Sequence, residues 1–201
     1  MRVSLTISLL TLALLIACAP SPRGQSNSEL SRPNVAIEKL AIVPFLKVSN
    51  DASLREGAAI VERHFAELLS KQVLLIIPSR DVSLALDGHS VKPQEAAKIC
   101  ATAFGVDSIL TGKIRRFTER KGAPLGAAAP ASVAFDVAIY DAPNGRRVWS
   151  AIFDEKQKAM TDNFLVARRY PGKGTRWLSR VEFTKWGISE IIDELPLGDL
   201  P

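Results

Sequence analysis

Ser132-Val-Ala-Phe-Asp-Val-Ala-Ile-Tyr-Asp-Ala-Pro-Asn-Gly-Arg-Arg-Val-Trp-Ser-Ala-Ile-Phe153 is the stretch from which the fold is read. Val133, Phe135, Val137 and Ile139 alternate strictly with smaller or polar residues, which predicts a strand with those four facing a core. Asp141 to Gly145 then forms a turn in which Asn144 and Gly145 supply positive φ, and the chain returns through Val148 to Phe153. The C-terminal half therefore contains an antiparallel hairpin.

Upstream, GAPLGAAAPA at 122–131 is a low-complexity loop. Ile109 to Phe117 is a strand in which Gly112 marks a bulge or a close backbone approach. Pro93-Gln94-Glu95 opens a helix that stops at Gly105, and Ser79 caps a shorter one reaching about Leu86. Val73 to Ile77 is wholly apolar and stopped by Pro78, as expected of a strand buried on both faces. Ser53-Leu-Arg-Glu56 has the form of a capping box, followed by Ala58, Val61, Phe65 and Leu68 on one face and a Glu67–Lys71 pair on the other. Leu40 to Leu46 is the first core strand. At the other end, Ser179-Arg-Val-Glu182 is a second capping box with Leu178 and Phe183 as a hydrophobic staple. It opens a helix carrying Val181, Ile188, Ile192 and Leu195, ended by Pro196. The expected architecture is α/β, bordering on α+β: one sandwich with a mixed sheet of about five strands. Early βαβ crossovers make parallel neighbours, followed by the antiparallel hairpin and a terminal helix.

The amino-terminal segment decides location. Val3 to Ile16 is apolar-rich, follows Arg2, and falls short of the ~20 residues that span a bilayer. Leu15-Ile-Ala-Cys18 closes it and resembles the lipobox of bacterial lipoproteins. That resemblance implies cleavage after residue 17, lipidation of Cys18 with palmitate-type acyl chains, and, with Ala19 rather than Asp in second place, sorting to the outer membrane. Residues 18–34 then form a lipidated cysteine and flexible tether, and 35–201 a single periplasmic α/β domain. Cleavage there removes Arg2 alone among the charged residues, leaving 25 basic side chains against 21 acidic. An exported, mildly basic chain meets membrane, wall and protein before nucleic acid, so nucleic acid is not an expected partner. With Cys18 lipidated, Cys100 is the remaining thiol and reads as a buried core residue.

Three separated pieces resemble the TolB amino-terminal-like domain group, which includes the LpoB activators and the CsgG family of secretion lipoproteins. They are Leu40-Ala-Ile-Val-Pro-Phe-Leu46 with Ser49-Asn50-Asp51, Gly105-Val-Asp-Ser-Ile-Leu-Thr-Gly112, and Phe135 to Ser150. The resemblance covers about residues 38–155 and implies an α/β sandwich that makes protein contacts without a catalytic centre. Pro143 and the tail after residue 160 depart from the pattern, and the loop at 122–131 is too short for a CsgG-type barrel wall.

The chemistry-bearing residues are sparse. His64 and His89 have no further ligands at metal-site spacing. Gly88-His-Ser90 lacks the second glycine of a nucleophile elbow. Gly172-Lys-Gly-Thr175 interrupts the phosphate-loop order, and Asp136 and Asp141 fall on opposite faces of one strand. Neither an enzyme nor a cofactor is expected. Charge remains: Arg168, Arg169, Lys173, Arg176, Arg180 and Lys185 against Glu182, interleaved with Tyr170 and Trp177. A solvated loop before a packed helix is the plain reading of this segment. The sharper one makes Arg168, Arg169, Tyr170, Lys173, Arg176, Trp177 and Arg180 a surface for an anionic partner. The expected function is that of a membrane-anchored assembly or regulatory factor of the cell envelope with a protein partner, self-association included. The alternative is a binding module for a small envelope ligand or glycan, held between the meander and the terminal helix.

Overall fold

The computed structural model describes residues 37–159, 161, 162 and 164–195; the expectations for Cys18, the tether and Pro196 lie outside them. In chain order the elements are β1 (Lys39–Ile42), β2 (Leu46–Lys47), α1 (Ala52–Leu69), β3 (Leu75–Ile77), α2 (Ser79–Ala85), α3 (Pro93–Phe104) and β4 (Ser108–Thr118). They continue with β5 (Lys121–Ala123), β6 (Gly126–Ala129), β7 (Ser132–Asp141), β8 (Arg147–Lys156), α4 (Phe164–Ala167), a 3-10 turn at Pro171–Gly174, and α5 (Arg180–Ile192).

The main sheet runs β3-β1-β4-β7-β8, with β2 also beside β4. β1 pairs in parallel with β3 and β4, whereas β4–β7 and β7–β8 are antiparallel. The sheet is therefore mixed, as the two kinds of connection require, and β4 is its seam. Alternation sorts the side chains into two cores. Leu40, Ile42, Leu110, Ile114, Val133, Phe135, Val137, Ile139 and Phe153 meet α1 and α5 on one face. Ala41, Val43 and Ile109 meet Val82, Ala96, Ala97 and Cys100 of α2 and α3 on the other. Phe65, Phe135, Phe153 and Phe183 link the larger core through ring contacts of 6.3, 5.3 and 5.7 Å. Gly112 is a close approach: a Cβ there would lie 2.3 Å from the Asp136 carbonyl and 2.4 Å from the Phe45 ring. The register shift falls later, between Ile114 and Arg116.

α5 begins as its sequence predicts, with Ser179 accepting from the Glu182 amide and Glu182 bonding back to the Ser179 amide. Other local expectations are corrected. Asp51, not Ser53, caps α1, its carboxylate accepting from the Ser53 amide at 2.9 Å, which leaves Glu56 for Arg180. Glu67 takes His64 at 2.8 Å, because α1 ends before Lys71. Ser79 makes no cap bond, since its hydroxyl donates to Glu62 at 2.6 Å. β3 is an edge strand in which Leu75 is 45% exposed, after a Leu74 that is 69% exposed, and not a strand buried on both faces. An apolar run reports hydrophobicity without saying whether a second strand lies beyond it. In the turn after β7 only Gly145 has positive φ; Asn144 instead donates to the Asp141 carboxylate and accepts from the Arg146 amide. The segment 122–131 is not a plain loop, because β5 and β6 pair within it.

Candidate functional site

β1 and β4 run the same way, so the described chain enters at the Ser108 end of β4 and the β5–β6 hairpin leaves from the Thr118 end. These two ends define a near pole and a far pole. At the near pole Asp107 accepts from the Glu38 and Lys39 amides at 3.0 and 2.9 Å, while its own carbonyl accepts from the Ala142 amide at 2.8 Å. Asp107 thus ties the start of β1 to the turn after β7. Only the Gly-Val-Asp piece of the family resemblance pointed to it.

The basic segment packs along α5 and around the far pole. Gln157 positions it, donating to the Arg176 carbonyl and accepting from the Leu178 amide at 2.7 Å. The Trp177 amide donates to the Pro124 carbonyl at 2.7 Å, which holds the hairpin against the segment. The seven residues singled out in the sequence do not share one surface. Tyr170 is buried, accepts from the Lys158 amide, and packs edge-on to Trp186 at 4.8 Å; burial raises its phenol above the usual range. Arg169 pairs with Glu190 and lies over Trp186. Arg176 pairs with Glu182 at 2.7 Å, which with the Ser179 bonds holds that carboxyl down to about 2. Arg180 reaches Glu56 at 2.6 Å and Glu119 at 3.9 Å and covers the Phe117 ring, locking α5 to α1 and the end of β4. These four knit the fold. Arg168 and Lys173 remain exposed, Arg168 over the exposed Phe164 ring, and Trp177 is half-buried.

Between β8 and α5 lies a cleft lined by Phe153, Glu155, Arg169, Trp186, Glu190, Ile191 and Glu194, with a volume of about 20 Å³. That is room for one water, far below the several hundred Å³ of a small-molecule site. Cys100 is buried in the smaller core and burial raises its thiol to about 11, so it stays protonated. Among the described residues no three His, Cys, Asp or Glu side chains gather as a metal site, and no helix is long and apolar enough to cross a membrane.

No family model matches the chain, and no curated protein matches it either. Solved structures do. A dodecameric PelC variant from Paraburkholderia phytofirmans aligns over 85% of this chain and 96% of its own, at 14% identity and a TM-score of 0.50. The lipoprotein GNA1162 from Neisseria meningitidis aligns over 64% and 92%, at 20% identity and 0.42. The LpoB C-terminal domain from Escherichia coli aligns over 63% and 90%, at 13% identity and 0.42. The likeness to PelC is one of fold.

Proposed function

We propose that this chain is a lipid-anchored envelope protein that works by holding other proteins in place rather than by chemistry. The observation that carries the reading is Cys18 closing an apolar run too short to span a bilayer. Two acyl chains on that residue anchor stably, since each buried methylene contributes about 0.8 kcal/mol. Cleavage before Cys18 and the Ala19 sorting signal place the body at the periplasmic face of the outer membrane in this proposal. The PelC likeness supports a body of this fold, and the dodecamer that PelC forms makes self-association the first assembly to test here. The small-ligand alternative finds weaker support, because the cleft between β8 and α5 is too small for a glycan.

The test is the mass of the mature chain purified from envelopes. The expected result is a polypeptide beginning at Cys18 with acyl mass on it, and release of the body into the soluble fraction in Cys18→Ser. A start at another residue, or a Cys18 without acyl mass, overturns the anchoring. Sedimentation of the Cys18→Ser mature chain reports self-association directly.

A further inference from the structure

We propose that the far pole is the docking surface, and that it receives a protein face in which an apolar pocket is rimmed by carboxylates, on the side of the body away from the chain's anchored end. This rests on the protein-holding reading above and adds to it a surface, a partner chemistry and a direction. β4 is 11 residues long, so its ends stand about 35 Å apart. The described residues begin at the near end, with Ile37.

Leu125, at the tip of the β5–β6 hairpin, is 87% exposed, the highest value among the exposed large hydrophobic residues. Its neighbour Pro124 is held by the Trp177 amide, so the tip is presented in one place and loses little freedom on binding. Apart from Lys121 at its start, the hairpin around it consists of Gly, Ala and Pro, which leaves Leu125 as its one large apolar side chain. The unpaired charges of the hairpin and of the segments bonded to it are mostly cations, with Asp162 the exposed acid among them. Lys121, Lys158 and Lys173 are exposed and form no ion pair among the described residues, and Arg168 lies over Phe164. Arg176 and Arg180 are already neutralised by Glu182, Glu56 and Glu119.

Helix direction reinforces the asymmetry. The Arg180–Glu56 contact brings the first turns of α1 and α5 together, so both helices point their positive ends to this pole. Their negative ends lie at the near pole, where Glu67, Asp193 and Glu194 are exposed alongside Lys39, Lys71, Arg146 and Arg147, so charge there is mixed. An aliphatic knob with one unpaired cation on its own hairpin and others on the segments at the same pole is complementary to an apolar pocket with an acidic rim, and opposite charge speeds and orients such an encounter.

The experiment places a photo-reactive residue at Leu125 or, as the near-pole control, at Pro143 in the full lipidated chain in native envelopes. A discrete protein adduct is expected from position 125 and none from 143. The adduct should fall about fivefold or more when Lys121, Lys158 and Lys173 are changed to Glu, and should weaken as salt is raised. Circular dichroism of that triple variant checks its fold, and Leu125→Asp, with a photo-reactive residue at Lys121, provides a second variant at an exposed site. An adduct from 125 that ignores charge reversal, or one to lipid alone, overturns the inference. A protein adduct from 143 and none from 125 overturns the docking pole while leaving the protein-holding reading standing. No protein adduct from either position sinks that reading as well.

Discussion

The two halves of the sheet on either side of β4 solve burial differently. In the parallel half, β1 is covered on both faces, Leu40 and Ile42 meeting α1 while Ala41 and Val43 meet α2 and α3. In the antiparallel half, β7 and β8 pack one face on α1 and α5, and the opposite face, beyond Tyr140 where β7 still meets the smaller core, carries charge: Arg115 bridges Asp136 and Asp154 at 3.0 and 3.1 Å, and Arg116 also reaches Asp154. A one-sided sheet advertises itself by alternation, whereas a two-sided one reads as an unbroken apolar run. This is why Val133 to Ile139 gave its register directly and Val73 to Ile77 did not disclose that it ends the sheet.

Substitutions at four positions would break or sharpen that contrast. Phe135→Ala, in the shared aromatic core, should lower unfolding free energy by about 4 kcal/mol in a urea titration. Gly112→Ala, at the seam itself, should lower it by about 3 kcal/mol, since the clash is with backbone as well as a buried ring. Glu62 belongs to the doubly covered half, where its carboxylate accepts from the Phe45 amide at 2.7 Å and from Ser79. Glu62→Ala should cost about 2 kcal/mol, while Glu62→Gln, which keeps an acceptor for Phe45, should stay within about 1 kcal/mol. Burial raises the Glu62 carboxyl above its ordinary value, so this group's contribution is fully present below the unfolded pKa and is lost as pH rises through the folded one. Stability measured on lowering the pH toward 4.5 should therefore gain a term that Glu62→Gln lacks. Asp154→Asn, on the open face, should cost less than about 1 kcal/mol, because all three side chains there are partly exposed. A cost as large as that of Phe135→Ala would mean the open face is not simply wet.

Element order, the mixed sheet, the hairpin and the α5 capping box were legible in the sequence because each is set by residues close to one another. What was hidden depends on distant partners. The charges of the basic segment are plain, but Arg180 is neutralised by Glu56, 124 positions away, and no local pattern announces that. Likewise Ser53 and Glu56 have the spacing of a capping box, yet Asp51 reaches the helix amide first. The small-residue run at 122–131 carries too little side chain to reveal pairing, so the hairpin that presents Leu125 went unseen.

The parallel seam also sets a timetable. Lys39 and Asp107 are 68 positions apart, whereas β7 and β8 are joined by a short turn. Closing a small loop is fast and closing a long one is slow, so the first strand to leave the ribosome has no parallel β4 partner until the middle of the chain has followed it. Pulsed hydrogen exchange during refolding should find the amides of Val137 and Ile139 protected before that of Ile42. The parallel edge of the sheet would then be the last part to set.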